Sequence, residues 1–430
     1  MPTPPGDVAH LLRRAGFGGT FEEVRALAPL DIRTIVERVV EAPAPPVAPP
    51  AVLLSSTKRW EQWVAMQQWW YERMRTSSAP FQEKMALFWH GHLCSGLDKV
   101  QSPMAMWNQH VLFRQKGLGS FVDLVQAVSI DPAMLEYLDN DQNVVGSPNE
   151  NYARELMELF TLGVNQYTQD DVVAAARAWT GYGRNKDTGL FEYHPRRHDN
   201  GSKTFFGIKK NWAGPQIVDE ILLGKKKQIA ARFLVAKLWS FFAYPNPEPA
   251  IVDALAASYL SSNLSIKATV KAIFLRPEFY SVKAKRGLVR SPAEFMAAAM
   301  KGAQLPASVV HPEWFGNGMG QMLFAPPNVS GWRPNGYWIS ASAQWAKVSF
   351  ANYVRWKMNE TGALPVDELR RMSPEDSVKT VLRRFMIDNA GPQTKSALVR
   401  YVQRQRADQW WAERPNLFFL VLMTPEMQLA

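Results

Sequence analysis

The stretch from Asn149 to Gly183, NENYARELMELFTLGVNQYTQDDVVAAARAWTGYG, carries the most ordered charge spacing in the chain. At 100° per residue, Tyr152, Ala153, Leu156, Met157, Leu159 and Phe160 share one arc of a helix. Glu150, Asn151, Arg154, Glu155 and Glu158 share the other. Glu155 and Glu158 are three apart, and Arg154 is four from both Glu150 and Glu158, so carboxylates and a guanidinium form one ridge. Facing solvent, that ridge would contribute roughly a few tenths of a kcal/mol per ion pair. Facing a cleft, it would do chemistry: burial would raise one carboxyl pKa while Arg154 lowered another. Periodicity does not separate the two.

Two other segments bring chemistry-bearing residues together. In FWHGH, on a helix opening at Pro80, His92 falls at the angle of Phe81, Met85 and Phe88, while His90 falls beside Glu83, nearly opposite. Both could hold one ion only if the helix ends near Gly91, which glycine permits. The plainer reading makes His92 a satisfied core histidine and His90 a surface one. In LFEYHPRRHDNGSKTFFG, residues 190–207, Asn200-Gly201 between two extended runs is a type I′ hairpin signature. That register puts His198 opposite Lys203 and Asp199 opposite Ser202, gathering an imidazole, a carboxylate and an amine. An ordinary solvent-exposed hairpin fits the pattern equally well.

The elements that must position these residues are mostly helices. Helices are expected at 6–16, 20–29 and 31–41, the second opened by a Thr20/Glu23 capping box. PAPPVAPP, 43–50, is a stiff extended connector. The division is therefore a helical segment over 1–42, a Pro-rich connector over 43–57, and a main helical domain over 58–430 with the hairpin inserted near 190–207. Further helices are expected through 341–423. A second helix after Gly163 is capped by Thr168 with Asp171. The loop APPNVSGWRPNGYWIS, 325–340, is too apolar for a linker and is of the kind that rims pockets, which makes Trp332 a candidate ligand contact.

Composition narrows the class. With 430 residues, 47% hydrophobic, the chain has ample material for a large core. Of sixteen tryptophans, Trp60, Trp63, Trp69, Trp70 and Trp89 crowd one region, as core or groove lining. The net charge of +10 favours anionic ligands at low salt, but no nucleic-acid motif accompanies it. The single cysteine, Cys94, excludes an intramolecular disulfide and a Cys-rich zinc site. No apolar run reaches signal-peptide or membrane-span length. The expected location is cytoplasmic as given, or periplasmic or secreted if a leader has been removed.

FWHGHL, NENYARELMELFTLGV, HDNGSKTFFG, ARFLVAKLWSFF and PPNVSGW, in that order between AHLLRRAGFG and the terminal TPEMQL, resemble the bacterial family known as domain of unknown function 1800. The resemblance implies a mostly α-helical, single-domain protein with no established activity. It also implies frequent export, and a frequent neighbour of the domain of unknown function 1501 family, which is similar to sulfatases and alkaline phosphatases. Many relatives carry a leader that is lacking here. The family's polar positions correspond to His90, His92, Asn151, Arg154, Glu155, Glu158, His198, Asp199 and Lys203.

This set is chemically coherent. His90, His92, Glu155 and Glu158 would hold a divalent ion such as zinc, manganese or iron. Glu155, Glu158, His198 and Asp199 would be the catalytic groups. Arg154, Lys203, Asn151 and Trp332 would bind an anionic or saccharide-like substrate. The expected activity is then a metal-assisted hydrolase or oxidoreductase. A helical di-iron centre fits less well, because residue 158 is Glu where Glu-x-x-His spacing calls for His. Two other readings stay open: a binding or assembly partner of the sulfatase-like neighbour, docking through 325–340, and a buried salt-bridge network with no chemistry.

Overall fold

The computed structural model describes residues 1–185, 187–404 and 410–430. The fold is mostly α-helical, with two small two-stranded antiparallel sheets. The expected N-terminal helices form at Pro5–Ala15, Phe21–Leu27 and Ile32–Val40. The capping box is present: Thr20 Oγ1 accepts from Glu23 N–H at 3.1 Å, and Glu23 accepts in return from Thr20 N–H. The helical stretch expected over 341–423 includes Ala341–Glu360 and Trp410–Leu422. Its residues 405–409 lie outside the described residues. No described helix is long and apolar enough to cross a membrane.

The apolar stripes meet in a continuous core. Val8, Leu11 and Val36 belong to the same cluster as Phe274, Phe350 and Leu422, and the helix Pro5–Ala15 packs against Pro80–His92. Trp70 and Trp89 are fully buried, Trp63 and Trp69 pack at the edge of the core, and Trp60 is exposed. Each ring buried in this way adds a large apolar area to the packing.

The hairpin register requires correction. Strands Tyr182–Arg184 and Phe191–Tyr193 pair with each other, and Lys203–Phe205 pairs with Ile208–Lys210. Neither His198 nor Asp199 is in a strand. Asn200-Gly201 is not the hairpin turn, because the Asp199 carboxylate accepts Gly201 N–H at 2.7 Å and Arg177 Nε–H at 2.7 Å. This local side-chain-to-backbone turn outcompetes strand pairing. The two-residue turn falls instead at Phe206-Gly207, where both φ angles are positive, 46° and 77°. An aromatic residue rarely takes that conformation. Phe206 is held in it by its own N–H, which donates to the Asp171 carboxylate at 2.8 Å.

Asp171 therefore serves two elements, since it also accepts from Thr168 N–H at 2.9 Å and Thr168 Oγ1 at 2.8 Å to cap Gln169–Ala178. Replacing it by Ala is expected to lower stability by roughly 2–3 kcal/mol, because the helix cap and the acceptor for the part-buried Phe206 N–H are lost together. Chemical denaturation of Asp171→Ala beside Asp171→Asn checks this, the Asn variant being the milder.

Candidate functional site

The organising helix begins as expected and then changes winding. Asn151–Glu155 is α-helical, but Leu156–Thr161 is a π-helix, in which Leu162 N–H reaches back to Met157 O at 2.9 Å. Such wide turns recur at functional sites. The apolar arc is buried as its spacing dictates: Tyr152, Ala153, Leu156, Met157 and Phe160 are all inside. The polar ridge divides. Arg154 donates to Glu150 at 2.8 Å, and Gln169 bonds to both, at the surface. Asn151 is exposed beside Asp139. Glu155 is half-buried, and its carboxyl pKa is raised by burial and by the charge of Glu158, against the pull of Arg154. Glu158 accepts a hydrogen bond from Tyr167 OH.

The two histidines lie on an unbroken helix, Pro80–His92, and face different surroundings. His90 is not on the surface. It is buried among Trp70, Phe324 and Trp332, and its Nε2 accepts Phe324 N–H at 2.9 Å. His92 stacks on Phe88, and its Nε2–H donates to Phe160 O at 3.0 Å, which ties it to the π-turn. Burial lowers both imidazoles to about 3, so both are neutral at physiological pH. His90, His92, Glu155 and Glu158 are thus not gathered as a ligand set. Among the described residues, no group of three or more His, Cys, Asp and Glu side chains is placed to hold a metal ion.

His198, Asp199 and Lys203 do come together, by a route other than the expected register. Nδ1–H of His198 donates to Thr180 O at 2.8 Å. Asp199 pairs with Arg177, which lowers its pKa, and Lys203 Nζ donates to Asn211 Oδ1 and Trp212 O at 3.0 Å each. Asp199 thus ties the loop to Gln169–Ala178, His198 ties it to Thr180 just beyond that helix, and Lys203 ties it to the segment at Asn211 and Trp212.

A cleft of about 290 Å³ forms elsewhere, where the 325–340 loop closes over the end of the histidine helix. His92, Lys237, Trp332 and Arg333 line its walls, with Arg14 and Glu294 inside. Gly331, at φ 76°, makes this closure possible: a Cβ there would stand 2.3 Å from Gly91 O. Apolar surface comes from Phe88, Phe241 and Trp338. Crowding by protein lowers the Lys237 ammonium pKa. The nearby Cys94 thiol is pushed up to about 12 by burial, which makes it a poor nucleophile. Of the residues singled out in the sequence, His92 and Trp332 line this cleft; Glu155, Glu158, Arg154, Asn151, His198, Asp199 and Lys203 do not. A larger, mainly apolar groove of about 890 Å³ between the N-terminal helices and residues 375–399 contains none of them.

Arg14, Lys237 and Glu294 escaped sequence reasoning because nothing in the spacing within their own helices sets them apart. A signal was present for two of them, since AHLLRRAGFG and ARFLVAKLWSFF both place a cation inside a motif of the resemblance. The model of one protein family, described as Protein of unknown function (DUF1800), matches residues 10–429. No curated protein and no solved structure matches the chain.

The buried histidines set a pH dependence. Their folded pKa values lie below the unfolded value of about 6.5, so the stability they contribute is complete above that pH and is lost as pH falls toward 3. At pH 5 the loss is about 2 kcal/mol per histidine. Urea unfolding at pH 7 and pH 5 is expected to show a smaller pH-induced loss for His92→Gln than for the wild type; equal losses would contradict the burial argument.

Proposed function

The chain belongs to the DUF1800 family, and we propose that it binds a small anionic or saccharide-like substrate in the cleft between the histidine helix and the 325–340 loop. The observation that carries this reading is the convergence of three separate segments there. The end of Pro80–His92 supplies a neutral imidazole, Lys227–Phe242 supplies Lys237, and the loop supplies Trp332 and Arg333. A concave, largely apolar site with a few convergent polar groups is the usual form of a ligand pocket. Trp332 offers a flat face for stacking, and the cations offer charge pairing.

Coordination of zinc, manganese or iron by His90, His92, Glu155 and Glu158 would take a different arrangement of these side chains. If the cleft works through its cations, elemental analysis of metal content gives equal values for the wild type and His92→Ala. Stoichiometric metal lost in the variant would favour the metal-assisted reading.

A second reading, assembly with a sulfatase-like protein of the domain of unknown function 1501 family, is favoured by a set of exposed aromatics. Trp345 and Trp356 stand on one side of Ala341–Glu360, with Trp314 nearby and Tyr337 and Ile339 on the adjoining loop.

The cleft reading is checked by equilibrating the protein with a small-molecule extract and identifying retained compounds by mass spectrometry, for the wild type and Trp332→Ala. Anionic compounds retained by the wild type and lost from the variant are the expected result. Identical retention by both would end this reading; co-purification of a sulfatase-like protein that Trp345→Ser and Trp356→Ser abolish would establish the second.

A further inference from the structure

The interior of the cleft is built on an imbalance of charge. Arg14, Lys84 and Arg290 are 2%, 1% and 3% exposed, and Glu294 is the carboxylate that acts on all three. Glu294 is itself committed: it pairs with Lys84, and its other oxygen accepts Ser291 N–H at 2.8 Å in a helix-capping box. The remaining cations find only dipoles. Arg14 Nη2 donates to Ala243 O at 3.1 Å and Ala284 O at 2.7 Å, while its Nε–H has no partner. Arg290 donates to the Met427 sulfur.

Three buried cations thus share one carboxylate, and Arg14 and Arg290 have no direct ion-pair partner of their own. An uncompensated buried charge is strongly destabilising, and an anion placed beside it removes that penalty. Arg14 is the member of this group that lines the cleft, together with Glu294. Around the way in, Lys237 and Arg333 add positive charge, and Phe88, Phe241 and Trp332 supply apolar surface. The cavity, about 290 Å³, is at the small end of ligand sites.

Resting on the reading of this cleft as the ligand site, we propose that its ligand is a small amphiphilic anion that enters head first. Its carboxylate or phosphate is drawn toward Arg14 with Lys237 alongside, and its flat apolar body lies against Trp332, Phe88 and Phe241. The charge deficit selects against neutral molecules of the same shape, because those leave the buried guanidinium unpaired.

The test uses the full chain at low ionic strength and isothermal titration with benzoate, phenyl phosphate and the neutral benzamide. Both anions are expected to bind at least about tenfold more tightly than benzamide, as loss of charge pairing in an enclosed site requires. Lys237→Met, which removes the charge and keeps the length of the aliphatic stem, is expected to weaken the anions and leave benzamide unchanged. Arg14→Met is expected to abolish the preference, and circular dichroism establishes that it folds. If benzamide matches benzoate and Trp332→Ala weakens both, the anionic ligand is wrong while the cleft reading stands. If none of the probes binds, or if Trp332→Ala changes nothing, both readings fall.

Discussion

The ion pair between Lys84 and Glu294 joins the histidine helix to Pro292–Ala303 at a place where burial makes isolated charge costly. Lys84 also donates to Gly16 O at 3.0 Å, at the end of the N-terminal helix. Arg14, one residue back from that end's last alanine, reaches carbonyls near the helix Lys227–Phe242 and in the segment before residue 290. Helices distant in sequence are therefore fixed by one group of charges. Removing Glu294 would leave three buried cations facing one another. The cleft inherits its positive interior from this arrangement, and its apolar walls from the aromatic packing around it.

The end of the histidine helix is the second organising feature. Its two imidazoles are neutral for the same reason, burial, but they hold different partners: His90 fixes the start of the segment leading into the loop through Phe324, and His92 fixes the π-turn through Phe160. The contact between Gly331 and Gly91 then lets the loop lie directly on the helix. A motif that suggests metal binding is used here to dock two irregular segments at one helix terminus, with the cleft as the space between them.

Much of the fold was legible from local rules. The caps at Thr20 and Thr168, the apolar arc from Tyr152 to Phe160 and the mostly helical architecture follow from propensity and periodicity, which act within a few residues. The order of motifs also identified the family. The hairpin register was misread at Asn200-Gly201 because the competing partners, Arg177 and Asp171, lie more than twenty residues away from the turns they decide.

The candidate site divides along the same line. Residue type and spacing by themselves determined that His92 and Trp332 were worth watching, and that an excess of cations would favour anionic ligands. They could not determine that His90 is buried, that Arg154 pairs at the surface, or that Arg14, Lys237 and Glu294 share one cleft. Helical periodicity assigns a side chain to a face, but only the packing of distant helices decides what that face meets. Whether a charge is solvated, paired or left needing a ligand was therefore settled by tertiary structure, through desolvation, which depends on everything that surrounds the group.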